Sequence, residues 1–194
     1  MHDTASGGAL DNLDNVESLT AHFMHMFQEN IERDGELHPV VIVVATKDPQ
    51  TGERFPSPRA ALIPLLMGDE REKDYMASLI RMLAAKSEAT AVLFATEAWV
   101  LMADVDGTSL DDHIKEAYRH GSISKHPKRK EVVLVSLEHH DLNHNGRTWM
   151  ADILRTGSGK DEKVSLAEFK EMPKGTGVQG RFTHLLRAVE DEPS

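Results

Sequence analysis

The sequence predicts an α+β fold in which helices pack on one antiparallel, five-stranded sheet. Apolar residues recur at helical spacing in two long segments, and runs of β-branched residues typical of strands lie between and after them. The 194 residues suit one domain with appendages. We expect a disordered tail over residues 1–14, a single α+β domain over 15–156 and a helical extension over 157–194.

Two helices are predicted within the domain. The first runs from about Asn15 to Asp34, with a capping box of Asp14 and Glu17 and an end at Gly35. Its apolar face comprises Val16, Leu19, Phe23, Phe27 and Ile31. The second helix covers residues 69–89. Its apolar stripe comprises Tyr75, Met76, Leu79, Met82 and Leu83.

The five strands are predicted from β-branched runs and from the turn residues that border them. They cover residues 39–46, 60–66, 90–103, 131–139 and 147–155. Shorter helices are predicted at 109–121, 165–172 and 181–192. The order helix, two strands, helix, three strands resembles that of profilin-like and roadblock-like domains, which implies a five-stranded antiparallel sheet with helices packed on it.

Composition excludes several classes of protein. There is no cysteine, which removes disulfides, thiolate metal sites and cysteine nucleophiles. With 32 acidic and 22 basic residues the net charge is -10, which disfavours nucleic acid and anionic membranes as partners. No apolar run approaches the length of a membrane span, and the N-terminus lacks a signal-peptide pattern. We therefore expect a cytoplasmic protein.

The segment from residue 139 to 152 resembles a calcium loop. The residues at its ligand and glycine positions are Asp141, Asn143, Asn145, Gly146 and Asp152. An EF-hand loop, however, lies between two helices, and strand-like runs flank this one. The segment is therefore interpreted as a β-hairpin turn that joins the last two strands, with a calcium site as the alternative.

Histidine is abundant, with 11 in the chain, but no metalloprotease or other catalytic motif contains one. The residues that could form a transition-metal site are His139, His140, Asp141 and His144. The alternative is that they are ordinary turn residues. No cofactor is predicted.

Glu97 interrupts an otherwise apolar strand, where it shares a face with Ala95 and Trp99. A half-buried carboxyl at this place could act as a general acid. The alternative, which we favour because no second catalytic group is evident, is an ion pair with Arg59 or Arg155 from a neighbouring strand.

One basic stretch stands out in this acidic chain. It comprises Lys125, His126, Lys128, Arg129 and Lys130. Such a cluster could bind an anion or an acidic partner. It could equally be a solvated loop, or pair with the acids of this chain or of a second copy.

Two motifs together resemble a family of small bacterial and phage proteins of no known activity. They are the strand ending in Glu97, Ala98 and Trp99, and the loop with His126, Pro127, Arg129 and Glu131 that leads into a Val-rich strand. The resemblance covers residues 38–155. It implies an intact module of bacterial or phage origin and supplies no catalytic residue.

These observations favour a non-enzymatic module that binds another protein or associates with itself as a homo-oligomer, through a sheet edge or the first helix. One alternative is a metal-assisted hydrolase that uses Glu97 and the histidines of residues 139–144. Another is an acidic inhibitor of phage or bacterial origin that imitates nucleic acid.

Overall fold

In a computed structural model, two helices and an antiparallel, curled sheet form a mixed α+β fold, which confirms the predicted class. The structure describes residues 13, 15–65, 68–101, 112, 115, 118, 119, 121–142, 146–173 and 182–186. The helices are α1 (Val16–Asp34) and α2 (Glu70–Lys86). The strands are β1 (Val40–Lys47), β2 (Arg54–Pro64), β3 (Ala91–Val100), β4 (Lys130–His139), β5 (Arg147–Thr156), β6 (Lys163–Leu166) and β7 (Lys170–Glu171).

The sheet has the order β2-β1-β3-β4-β5-β6, and β7 also pairs with β5. Strands β6 and β7 act as one interrupted strand, because both lie antiparallel to β5 and their registers differ by a single residue. The predicted five strands are therefore only an approximate count for this sheet, and the prediction of a helix over 165–172 was wrong. Val164 and Leu166 face α1 and complete the core, while their backbone pairs with β5, and this tertiary pairing overrides the weak local helix signal.

Helix α1 covers one face of the sheet. Its predicted apolar residues are all buried, and they pack against inward-facing residues of β1, β3, β4 and β5. Gly35 ends the helix in the left-handed conformation, as predicted. The cap is Asn15, whose side chain accepts a hydrogen bond from the Ser18 amide at 3.0 Å, and not the predicted Asp14. Either residue can cap a helix, so the apolar spacing alone does not decide between neighbours.

Helix α2 lies on the opposite face of the sheet, and its predicted apolar stripe contacts the core only in part. Ala77, Ile80 and Ala84 are its buried residues, whereas Tyr75 and Met82 are exposed. Met76 and Leu83 of the predicted stripe are partly buried and pack against the same core cluster. Residues 182–186 pack beside α2, where Phe182 stacks on Phe94 of β3.

Two of the predicted short helices lie partly outside the described residues. Only five positions of the helix predicted over 109–121 are described, and residues 182–186 form turns within the segment where a helix was predicted over 181–192. Among the described helices, none is long and apolar enough to cross a membrane.

Glu88 joins the loop after α2 to the first hairpin through two charged hydrogen bonds. Its carboxylate accepts hydrogen bonds from Lys47 Nζ at 2.8 Å and Arg54 Nη2 at 2.5 Å. The bond from Lys47, with the charge of Arg54, lowers the pKa of Glu88. A depressed folded pKa gives a stabilising contribution that is present above the unfolded pKa of about 4.3 and is lost as the pH falls through the folded value.

We therefore expect the melting temperature of the wild-type protein to fall more steeply between about pH 5 and pH 3 than that of Glu88→Gln, which has no carboxyl to titrate at this position. Thermal denaturation at a series of pH values measures the difference. Parallel curves for the two proteins would contradict the assignment.

Candidate interaction surface at the Trp99 end of the sheet

The face of the sheet that α1 covers continues beyond the C-terminal end of the helix. The register pairs Trp99 with Glu131 and Glu97 with Val133, so these side chains share the α1 face. Arg155 of β5 joins them, because alternation places it on the same face as Ala151 and Ile153. The two sequence motifs thus come together at one end of the molecule.

Glu97 anchors the chain that leaves α1. Its Oε1 accepts a hydrogen bond from the Leu37 amide at 2.5 Å, and Leu37 is buried. The expected partner Arg59 lies on β2, on the far side of β1, where its guanidinium stacks over the Phe55 ring. The hydrogen bond gives Glu97 a structural role, while a role in catalysis stays a prediction.

Arg155 links three elements. Its Nε and Nη2 donate to the two carboxylate oxygens of Glu131 at 2.9 and 3.0 Å, and its Nη1 donates to the Gly35 carbonyl at 3.2 Å. The hydrogen bond to Glu131 is the main reason why the pKa of Arg155 is raised, and the charges of Glu131, Glu162 and Glu97 add to the effect. Because a guanidinium donates two parallel hydrogen bonds to a carboxylate in one plane, this pair holds the side chains of Arg155 and Glu131 in a defined orientation.

Trp99 and Arg129 form the exposed part of the site. The residue Trp99 is 40% exposed, and the guanidinium carbon of Arg129 lies 4.8 Å from the centroid of its ring. This is the geometry of a cation–π contact between the two side chains.

The predicted basic stretch does not act as one unit. His126 is only 2% exposed, and its Nδ1 accepts a hydrogen bond from the Lys128 amide at 3.1 Å, so it shapes the turn from inside. Lys130 belongs to β4 and pairs with Asp152 at 3.1 Å. Lys125 and Lys128 are exposed, and with Arg129 they give residues 125–129, hereafter the basic loop, its positive charge.

A cleft of about 1080 Å³ lies between the end of α1 and the turn from β5 to β6, and Glu131, the strand partner of Trp99, is one of its lining residues. It is lined by six carboxylates and three basic side chains, so negative charge predominates. The acidic residues are Glu32, Asp34, Glu36, Glu97, Glu131 and Glu162, and the basic ones are Arg33, Arg155 and Lys163. We call it the acidic cleft. Glu131, which opposes Trp99 in the register, connects the acidic cleft to the basic loop.

The histidine turn lies at the opposite end of the sheet. His139 pairs with Ala91 at the start of β3, whereas Glu97 lies six residues farther along the same strand. At about 3.3 Å per residue, roughly 20 Å separate the two positions, so Glu97 and the histidines do not meet at one metal ion.

Within this turn, His139, His140 and Asp141 bring candidate ligand atoms to within 4.8 Å of one another. The His139 Nδ1 already accepts a hydrogen bond from the Asp141 amide, and the two imidazole rings stack with centroids 4.4 Å apart. Strands β4 and β5 pair on either side, as predicted for a hairpin, where an EF-hand would have helices. His144, Asn143 and Asn145 lie outside the described residues, and a metal at this turn stays a prediction.

Sequence reasoning singled out Glu97 and the basic loop separately and missed the contact between Trp99 and Arg129. The sequence did contain a signal, because one motif includes Trp99 and the other includes Arg129. Only the register of β3 on β4 shows that the two motifs lie side by side. No protein-family model, no curated protein and no solved structure matches the chain, so the resemblances to profilin-like and roadblock-like domains and to the bacterial and phage family stay predictions.

Proposed function

We propose that the protein is a self-associating interaction module, with no enzymatic role, whose contact surface is centred on Trp99. The observation that carries the proposal is the exposed Trp99 ring held by Arg129. Tryptophan and arginine dominate the binding energy of protein interfaces, and a side chain that is already ordered loses little entropy when it binds.

The surfaces favoured by the sequence are less suited to association. The apolar face of α1 is buried against its own sheet, so it is not accessible to a partner. On the edge strand β2, the Leu65 amide donates inward to the Pro39 carbonyl. In the regular part of the pairing with β1, the backbone positions of residues 60, 62 and 64 therefore point outward. Pro64 has no N–H, which leaves the amides of Ala60 and Leu62 to receive a partner strand.

Neither alternative function gains a comparable observation. The hydrolase requires Glu97 and the histidines to converge, and the register keeps them roughly 20 Å apart. An imitation of nucleic acid requires a continuous negative surface. In the acidic cleft, Arg33, Arg155 and Lys163 lie among the carboxylates and interrupt the negative charge.

We expect Trp99→Ala to weaken self-association by roughly 10- to 100-fold, as for truncation of an interface hot spot, and to change the melting temperature by no more than a few degrees. Sedimentation equilibrium over a wide concentration range measures the dissociation constant. Tyr75→Ala on α2 is the matched control, because Tyr75 is also a large exposed aromatic and lies on the opposite face. A wild-type chain that stays monomeric at every concentration would refute the proposal.

A further inference from the structure

We infer that two copies dock through a two-fold axis at the Trp99 end, with the basic loop of each copy in the acidic cleft of the other. This inference rests on the proposed function and specifies its partner and its mode of contact. A two-fold interface uses the same patch on both copies, so the patch must be complementary to itself.

The charges at this end of the molecule meet that requirement. Lys125, Lys128 and Arg129 supply positive charge, and no acidic residue occurs between Ser122 and Lys130. The acidic cleft beside them has twice as many carboxylates as basic groups. A half-turn rotation about an axis near Glu131 brings each positive half against a negative half, twice in every dimer.

Two exposed apolar residues next to the basic loop can form the centre of this interface. Trp99 is 40% exposed and Ile123 is 42% exposed, and both adjoin the basic loop. A buried apolar centre with charged groups around it is the usual arrangement of a stable interface.

Both halves are also held in shape before they meet. Within the basic loop, His126 is buried, and the Arg129 amide donates to the His126 carbonyl at 3.1 Å. On the floor of the acidic cleft, the two hydrogen bonds between Arg155 and Glu131 fix both side chains. Preorganisation lowers the entropy lost on association.

A charge exchange between two variants tests this arrangement. The loop variant carries Lys125→Glu and Lys128→Glu, and the cleft variant carries Glu32→Lys and Glu36→Lys. All four residues are exposed, so the melting temperatures should stay near that of the wild-type protein. Each variant alone brings like charges together twice in the dimer, and we expect its self-association to weaken by roughly tenfold or more.

Mixing the two variants restores opposite charges at both contacts. We therefore expect a mixed dimer whose dissociation constant lies within about threefold of the wild-type value, measured by sedimentation with one variant labelled. If Trp99→Ala weakens association but the charge variants do not, self-association stands and the loop-in-cleft arrangement is refuted. Failure of the mixture to recover likewise refutes the arrangement.

The same loop could contact phosphates, and a fluorescence anisotropy titration with a labelled single-stranded RNA distinguishes this case. We expect no binding at physiological salt because the acidic cleft adjoins the loop. Salt-sensitive binding by a monomeric wild-type protein, lost in the loop variant, would overturn both the docking arrangement and the proposed function.

Discussion

Replacement of Phe27 by alanine is expected to lower the free energy of unfolding by about 3–5 kcal/mol. Phe27 has no exposed surface and lies on the apolar face of α1 between Phe23 and Ile31. Removing its ring leaves a cavity between the helix and the sheet that the surrounding residues fill only in part. A loss of this size is a large fraction of the roughly 5–15 kcal/mol that stabilises a typical domain.

Gln28→Ala is the matched control, because Gln28 is the next residue of the same helix and is exposed. We expect it to change the free energy by less than about 0.5 kcal/mol. Urea denaturation of both variants and the wild-type protein gives the two differences. If Phe27→Ala lowered the free energy of unfolding no more than Gln28→Ala, the described packing of α1 on the sheet would be contradicted.

The parts of the fold that the sequence predicted well are those whose apolar period is strong. Helix α1 and strands β4 and β5 begin and end within one residue of the predicted bounds. Strand β2 begins at Arg54, six residues before its predicted start at residue 60. The prediction started the strand too late because Pro56 and Pro58 argue against a strand. These prolines are tolerated because β2 is an edge strand and residues 55–58 fall in an irregular part of its pairing with β1.

The candidate site was less predictable, because it depends on which residues face each other across strands. About 30 residues separate β3 from β4, so no turn rule sets their register, and the contact of Trp99 with Arg129 cannot be read from the chain. The pair of Glu131 and Arg155 belongs to a hairpin. Its turn was predicted, but a shift of the register by one residue would have placed Arg155 on the other face.

Gly157→Ala is expected to destabilise the protein by roughly 2–4 kcal/mol, which combines backbone strain with a steric clash. Gly157 has a φ of +85°, and a Cβ at this position would lie 2.4 Å from the Asp161 carbonyl oxygen. Relief of the clash requires the backbone of the turn between β5 and β6 to move. The residues that follow, among them Lys163 and Ser165, form one wall of the acidic cleft.

Gly159 provides a control within the same turn. Its φ is +61°, but a Cβ there would meet no atom within 4 Å, so Gly159→Ala should cost only the backbone strain, about 1 kcal/mol. Thermal denaturation of the two variants therefore separates the clash from the strain, and equal losses would show that the contact with Asp161 does not form. The comparison is confined to stability, because Gly159 itself lines the acidic cleft and an added methyl group there also alters the surface of the cleft.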